Sequence, residues 1–298
     1  MLDRGYSFVE PDLLATLREK TVPVALDVWY ESRRRDAPGE FFRKIVYQRP
    51  ELQPGRTQQG FYVCSADGTL YEGWNNRSQR RMHQRLSSAL EKHAAHKQAA
   101  TEIAAGDGDR KYARTPPAGG LVVEVASKIT SGEWPEFESE VRAVRRDSVG
   151  RDHLWVTAGE VAALVRGDWP KTLGRRIARF HLIDNTGGEA PMWKAAEVRA
   201  ATFRLDASGN GARVLTGAAT MSTRDGSRGY EAALRGEIEV AGGSVTRFDV
   251  VARGAHWGHG DFVHGSPAGR FTLVVAFRLA RRAHARFIPP QGARDLKP

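Results

Sequence analysis

The chain of 298 residues has very few cysteines and no long apolar run. Its one cysteine, Cys64, excludes an intramolecular disulfide and a metal cage built only from cysteines. No apolar stretch approaches the roughly 18 residues that a membrane-spanning helix needs. The first residues mix charged with apolar side chains and lack the apolar core of a signal peptide. We therefore expect a soluble protein with no membrane span; the sequence does not determine its compartment, and the cytoplasm is the default.

The sequence also lacks the common catalytic motifs. It contains no glycine-rich phosphate loop followed by a lysine, so no nucleotide cofactor is indicated. It contains no Gly-x-Ser-x-Gly nucleophile motif. Candidate chemistry must therefore come from less specific clusters of side chains.

Positive charge is abundant, with a net charge of +10 and a pI near 10.0. The basic residues occur in short, separate clusters such as Arg33-Arg34-Arg35, and acidic residues are interspersed among them. No basic stripe with interleaved aromatic residues is present, so specific nucleic-acid binding is not indicated. Binding of an anionic or protein partner is an alternative that the sequence leaves open. The sequence does not indicate an oligomeric state.

The N-terminal third alternates strand and helix patterns. The apolar run 22–30 predicts a strand buried on both faces. Residues 39–48 have the spacing of a short amphipathic helix, and 60–74 predict a hairpin around an Asp-Gly turn. A further helix is predicted after Ser78, which can cap its first turn.

This order of elements resembles the thioredoxin-like fold, on the run 22–30, the hairpin and the last helix. The resemblance implies a thioredoxin-like α/β domain over residues 1–97. The family's Cys-x-x-Cys position reads Glu31-Ser-Arg-Arg-Arg-Asp-Ala-Pro38 here, so dithiol exchange is excluded and the domain is predicted to be redox-inactive. Any small α/β unit would give a similar pattern, and that alternative is kept.

A Gly- and Pro-rich linker is predicted over 98–120, and a β-rich domain over 121–298. Thr157 and Glu160 have the spacing of a capping box, and 171–182 also predict a helix. From about Val198 the apolar residues recur at every second position, which predicts an antiparallel meander curled into a partial barrel. The predicted fold class is therefore α+β, and the pairing of domains resembles uncharacterised bacterial proteins.

Histidines concentrate between two predicted strands of the β-rich domain. A predicted loop over 253–269 carries His256, His259, His264 and Asp261. Imidazole and carboxylate ligands suit zinc, copper or non-haem iron. The spacing matches no established metal signature, and a purely structural loop is the alternative.

A second candidate lies at the end of the predicted helix 171–182, where His181 and Asp184 precede a glycine-containing turn. The two side chains could form a general acid–base pair. Alternatively, His181 interacts with the helix dipole and Asp184 makes a turn.

The functional hypothesis is that the β-rich domain binds a transition metal or a small ligand. His256, His259, His264 and His181 are the candidate ligands, and Asp184 or Asp261 would transfer protons. Such a protein would be a metal-dependent oxidoreductase or hydrolase. The competing hypothesis is a non-catalytic module that docks an anionic or protein partner.

Overall fold

The chain forms two compact units, Tyr6–Arg114 and Thr115–Pro298. The computed structural model describes residues 7–52, 58–96, 108–109, 111–112, 115–137, 140–188, 191–209, 211–260, 265–282 and 288–291. Most of the predicted linker 98–120 lies outside these residues. Among the helices in these ranges, none combines the length and apolar character needed to cross a bilayer.

The described part of the N-terminal unit contains four α-helices and one antiparallel strand pair. The elements are α1 Pro11–Lys20, α2 Val28–Glu31, α3 Ala37–Val46, β1 Phe61–Cys64, β2 Leu70–Trp74 and α4 Gln79–Ala95. The hairpin and the helix after Ser78 confirm the sequence predictions, and α3 begins two residues before the predicted start. Asp36 caps α3 by accepting from the Gly39 N–H, and Ser78 caps α4 in the same way.

The predicted strand 22–30 is wrong. Residues 21–27 have no regular secondary structure, and Val28–Glu31 form one helical turn. Val22 and Val24 are 89% and 69% exposed, although the run is apolar. Pro23 lacks the N–H that a central strand must donate, which weakens this segment as a strand. In the described part of this unit, the sheet consists of β1 and β2, and the predicted first strand is not part of it. The thioredoxin-like resemblance is therefore not confirmed.

The C-terminal unit is built on one seven-stranded antiparallel sheet. Its strands are β3 Leu121–Glu133, β4 Gly150–Val156, β5 Val198–Gly209, β6 Ala212–Ser222, β7 Gly229–Ala241, β8 Ser244–Trp257 and β9 Ala268–Leu279. Their spatial order is β4-β3-β9-β8-β7-β6-β5. The meander prediction is confirmed for β5 to β9. The sheet is open, with β4 and β5 at its two edges, so the predicted partial barrel is replaced by an open sheet.

The period-two pattern gives the sheet one apolar and one polar face. In β7, Tyr230, Leu234 and Ile238 are buried, while the intervening Glu231 and Arg235 are exposed. The buried faces of the strands form the core of the unit together with Leu164, Leu173 and Ile177 of its helices. The helices therefore cover the apolar face of the sheet.

The predicted loop 253–269 is corrected by the pairing of β8 with β9. Their ladder continues as far as Trp257 opposite Arg270, so 253–257 belong to a strand. Gly254 approaches the β7 backbone so closely that an added Cβ would lie 1.8 Å from the Glu231 carbonyl oxygen. The glycine that suggested a turn is thus needed for close packing of two strands.

The α-helices described in this unit are α5 Glu140–Ala143, α6 Ala158–Arg166 and α7 Lys171–Arg176. The capping box of Thr157 and Glu160 is confirmed. After α7 the chain makes a π-helical turn, Ile177–His181, closed by a 3.0 Å hydrogen bond from the Leu182 N–H to the Ile177 carbonyl. The following residues 182–186 are buried without regular secondary structure. This passage positions the candidate functional site.

Candidate functional site

His256 lies in β8 and points into the core of the C-terminal unit. It is 2% exposed, and its ring contacts those of Trp193, Tyr230 and Phe271. Burial lowers the pKa of His256 to about 4; the charge of Asp184 opposes this shift, and those of Arg228 and Arg145 add to it. The imidazole is therefore neutral at physiological pH.

The other predicted metal ligands are not brought together with His256 in the part of the chain that the structure describes. His259 lies beyond β8, with its Nδ1 3.1 Å from the Gly260 carbonyl oxygen. His181 contacts Phe277, whereas His256 contacts Phe271, which is six positions away on β9, or about 20 Å along the strand. Asp261 and His264 lie outside the described residues. Among the described residues, no group of three or more metal-ligating side chains occurs.

The hypothesis that residues 256–264 bind a metal stays a prediction, and the metal content of the protein tests it directly. If this segment binds a metal, protein purified without a histidine tag will carry it in stoichiometric amount by elemental analysis. His264→Ala will lose the metal, because a ligand is removed, while His153→Ala, in a strand, will retain it. Substoichiometric metal in every preparation would contradict the hypothesis.

His181 contacts Asp152 of β4. Its Nδ1 lies 3.2 Å from the Asp152 Oδ2, and both side chains are buried. This separation is within ion-pair range but lacks the alignment of a full hydrogen bond. Asp152 Oδ1 accepts the N–H groups of His153 at 2.8 Å and Gln291 at 2.7 Å. The carboxylate is thereby held in place beside the imidazole.

Asp184 is held in a buried ion pair instead. One of its oxygens pairs with the Arg145 guanidinium, and the other accepts from the Thr186 N–H at 3.0 Å and the Thr186 hydroxyl at 2.6 Å. Arg145 also donates to the Ser266 hydroxyl at 2.9 Å. These contacts indicate that Asp184 fixes the buried loop, and they do not place it beside His181.

A cleft opens beside His181 and Asp152 on the core face of β3 and β4. Its enclosed volume is about 10 Å³, which is room for about one water molecule, and the empty space reaches about 180 Å³ only when open solvent at the mouth is counted. It is lined by Val125, Ser127, Gly150, Asp152, Phe180, His181, Ile183 and Asn185. Val125 lies opposite Asp152 and Ser127 opposite Gly150 in the ladder, so all four side-chain positions face the same side of the sheet.

Gly150 is required for the shape of this cleft. A Cβ at this position would lie 2.1 Å from the Ser127 Oγ and 2.5 Å from the Asn185 carbonyl oxygen. Any other residue would displace the β3 side chain or the buried loop. Glycine therefore allows Ser127 and Asn185 to approach the strand closely.

Among the cleft side chains other than His181, two polar atoms lack hydrogen-bond partners within the described ranges. They are the Ser127 Oγ and the Asn185 Oδ1, and both residues are less than 5% exposed. The Asn185 Nδ2 donates to the Arg151 carbonyl at 3.2 Å, which fixes the orientation of the amide. Such buried atoms cost free energy unless a ligand or water satisfies them.

The sequence reading missed Asp152, Ser127 and Asn185. For Asp152 a signal was present, because it shares its strand face with Leu154 and Val156, both buried. A carboxylate on the apolar face of a strand must be paired or serve a function. Ser127 alternates in the same way with Val125 and Ile129. For Asn185 no local pattern distinguishes a turn residue from one lining a cleft.

Comparison with protein-family models gives no match, and comparisons with curated proteins and with solved structures give no significant match. The chemistry of the cleft is therefore inferred from its own side chains. These are a histidine beside a carboxylate, a hydroxyl and an amide oxygen, surrounded by apolar walls.

Proposed function

We propose that the cleft of the C-terminal unit holds a water molecule, and that His181 and Asp152 act on it as a general acid–base pair towards a small ligand at the mouth of the cleft. One observation carries the proposal: the His181–Asp152 pair lines the same cleft as the Ser127 Oγ and the Asn185 Oδ1. Neither of these two oxygen atoms has a hydrogen-bond partner among the described residues. A buried cavity of this size that is lined by unsatisfied polar atoms usually holds an ordered water molecule.

The roles of the two residues follow from their contact. Asp152 faces Nδ1 of His181, so it favours the tautomer with the proton on that nitrogen and stabilises the imidazolium when it forms. Proton exchange with a ligand or a water molecule then falls to Nε2. Histidine–carboxylate contacts in ligand-free proteins are often poorly aligned and tighten when the substrate binds.

The reaction class that suits this pair is hydrolysis of a small acyl compound. His181 takes a proton from a water molecule as its oxygen attacks the carbonyl carbon. The same proton is then delivered to the leaving group as its bond to carbon breaks. Val125, Phe180 and Ile183 form the apolar wall of the cleft around the attacking water molecule.

Hydrolysis of p-nitrophenyl acetate tests the proposal, because this ester reports general acid–base catalysis on a small acyl group. His181→Gln and Asp152→Asn should each lower kcat/KM by about 100-fold, since the general base is lost or left in the wrong tautomer. The readout is p-nitrophenolate release by the full-length protein.

The matched control is His153→Gln, which changes a histidine next to Asp152 on the opposite face of β4. It should leave kcat/KM unchanged. Unfolding curves establish that each variant is folded. Hydrolysis no faster than in buffer, or an unchanged rate in folded His181→Gln, would refute the proposal.

A further inference from the structure

We propose that β5 pairs with the β5 strand of a second copy of this chain, in antiparallel orientation about a two-fold axis at Leu205. The two seven-stranded sheets then continue as one, and Arg204 of each copy lies opposite Asp206 of the other. The association does not depend on the proposed function, because the cleft lies beside β3 and β4 at the opposite edge of the sheet.

β5 is an edge strand with a partner on one side only. In the described part of the chain, its other side faces no strand. The strand has 12 residues, and positions 200–207 contain neither proline nor lysine, which commonly protect an edge from pairing. The backbone N–H and C=O groups of such an edge form a template for a further strand.

The other edge strand, β4, is contacted by the rest of its unit. Asn185 donates to the Arg151 carbonyl at 3.2 Å, and Gln291 donates its backbone N–H to the Asp152 carboxylate at 2.7 Å. β4 is also shorter, with 7 residues. The edge available to a second sheet is therefore β5.

The charged residues of β5 select one register for this pairing. Between the irregular pairings at its two ends, residues 200–207 pair regularly with β6, and their charged members are Arg204 and Asp206. Across an antiparallel pair related by a two-fold axis, the side chains of opposite residues point to the same face, so only positions of equal parity meet. An axis at Arg204 or Asp206 would set like charges against each other, whereas an axis at Leu205 sets Arg204 against Asp206 twice.

The same axis buries apolar surface that the single chain leaves partly exposed. Phe203 and Leu205 are partly buried side chains that pack against the core of the C-terminal unit. Trp169 stacks on Phe203 with 5.2 Å between the ring centroids, which holds the phenyl ring at the edge. With the axis at Leu205, the two Leu205 side chains meet, and Phe203 lies opposite Ala207 of the partner subunit. Backbone pairing, apolar contact and charge pairing therefore agree on one register.

Analytical ultracentrifugation of the full-length protein tests the association. Each copy carries a net charge of +10, so the measurement is made at about 0.15 M salt, where exposed charges are screened beyond about 8 Å. The mass should rise with concentration from 32.9 kDa towards twice that value. Dimer should be present at about 100 µM, because interfaces of modest quality bind in the micromolar range.

Two charge reversals test the register. Arg204→Asp and Asp206→Arg should each weaken homodimerisation at least about tenfold, because each sets like charges opposite each other at two symmetric positions. An equimolar mixture of the two variants should dimerise as the parent does, because opposite charges then face each other again. Both side chains are exposed to solvent, so the variants should keep the fold, and unfolding curves measure this.

Arg253→Asp is the matched control, since it makes the same change of charge on the exposed face of β8, three strands and about 14 Å away from β5. It should leave dimerisation unchanged. A protein that stays monomeric at about 100 µM overturns the inference. So does a dimer that neither reversal weakens, or one that the mixture does not restore, since either result means that the copies meet through other residues.

Discussion

Arg145→Met should lower the free energy of unfolding by about 3–5 kcal/mol. Arg145 and Asp184 are 2% and 5% exposed and form an ion pair in the interior of the C-terminal unit. Methionine occupies similar space without charge, so the Asp184 carboxylate would stay buried with the Thr186 N–H and hydroxyl as its remaining donors among the described residues. Urea denaturation at neutral pH measures the loss.

The control for this prediction is Arg204→Met, which breaks the exposed pair of Arg204 with Asp206. Its effect should be about 0–1 kcal/mol, because solvent screens exposed charges. Arg145→Met combined with Asp184→Leu should be more stable than Arg145→Met alone, since the orphaned charge is then removed. A loss below about 1 kcal/mol in Arg145→Met would show that the pair does not hold the buried loop.

The second large effect is a loss of stability in mild acid caused by His256. Burial holds the pKa of His256 at about 4 in the folded protein, against 6.5 for the free side chain. Between these pH values the unfolded chain binds a proton that the folded one excludes, so acidification favours unfolding. The loss begins as the pH falls through 6.5, is complete below 4, and amounts to about 3 kcal/mol.

His256→Phe isolates this contribution, because phenylalanine keeps an aromatic ring beside Trp193, Tyr230 and Phe271 without a titrating group. Other groups lose stabilisation in acid as well, including Asp36, whose pKa the Arg34 guanidinium holds far below its usual range. They are common to both proteins and cancel in the comparison. The stability of His256→Phe should therefore fall less steeply between pH 6.5 and 4. Identical slopes for the two proteins would contradict the prediction.

The sheet could be predicted from the sequence because its signal is local. Alternation along β7 and β9 records directly which side chains meet the core, and the capping box of Thr157 and Glu160 is a contact between neighbours in sequence. The run 22–30 failed for the opposite reason. Its apolar character is that of a strand, yet strand formation depends on a partner elsewhere in the chain, and Pro23 removes a donor.

In the histidine-rich segment, the prediction ended strand β8 before residue 253, although the alternation of buried side chains continues to His256. Phe248, Val250 and Ala252 alternate on the buried face of β8, and His256 continues the same parity. Gly254 interrupts the apolar series and suggested a turn. Extending the alternation through that glycine would have placed the imidazole in the core rather than in a loop.

The candidate site could be predicted only in part. His181 was identified from its place at the end of a helix, but its carboxylate partner lies 29 residues earlier, on a strand. No spacing rule joins two such positions, because β4 and the turn after α7 meet through tertiary packing. Ser127 and Asn185 come from two further segments. The assignment of Asp152 as the partner required the fold.

The π-helical turn Ile177–His181 has a consequence for how this site can change. It accommodates one more residue than an ordinary α-helical turn would hold between the same ends. Deleting a single residue there would restore regular α-helical winding between the same ends and leave the flanking residues in phase. A related chain that lost His181 in this way would keep its sheet and its packing helices, yet it would have no imidazole beside Asp152.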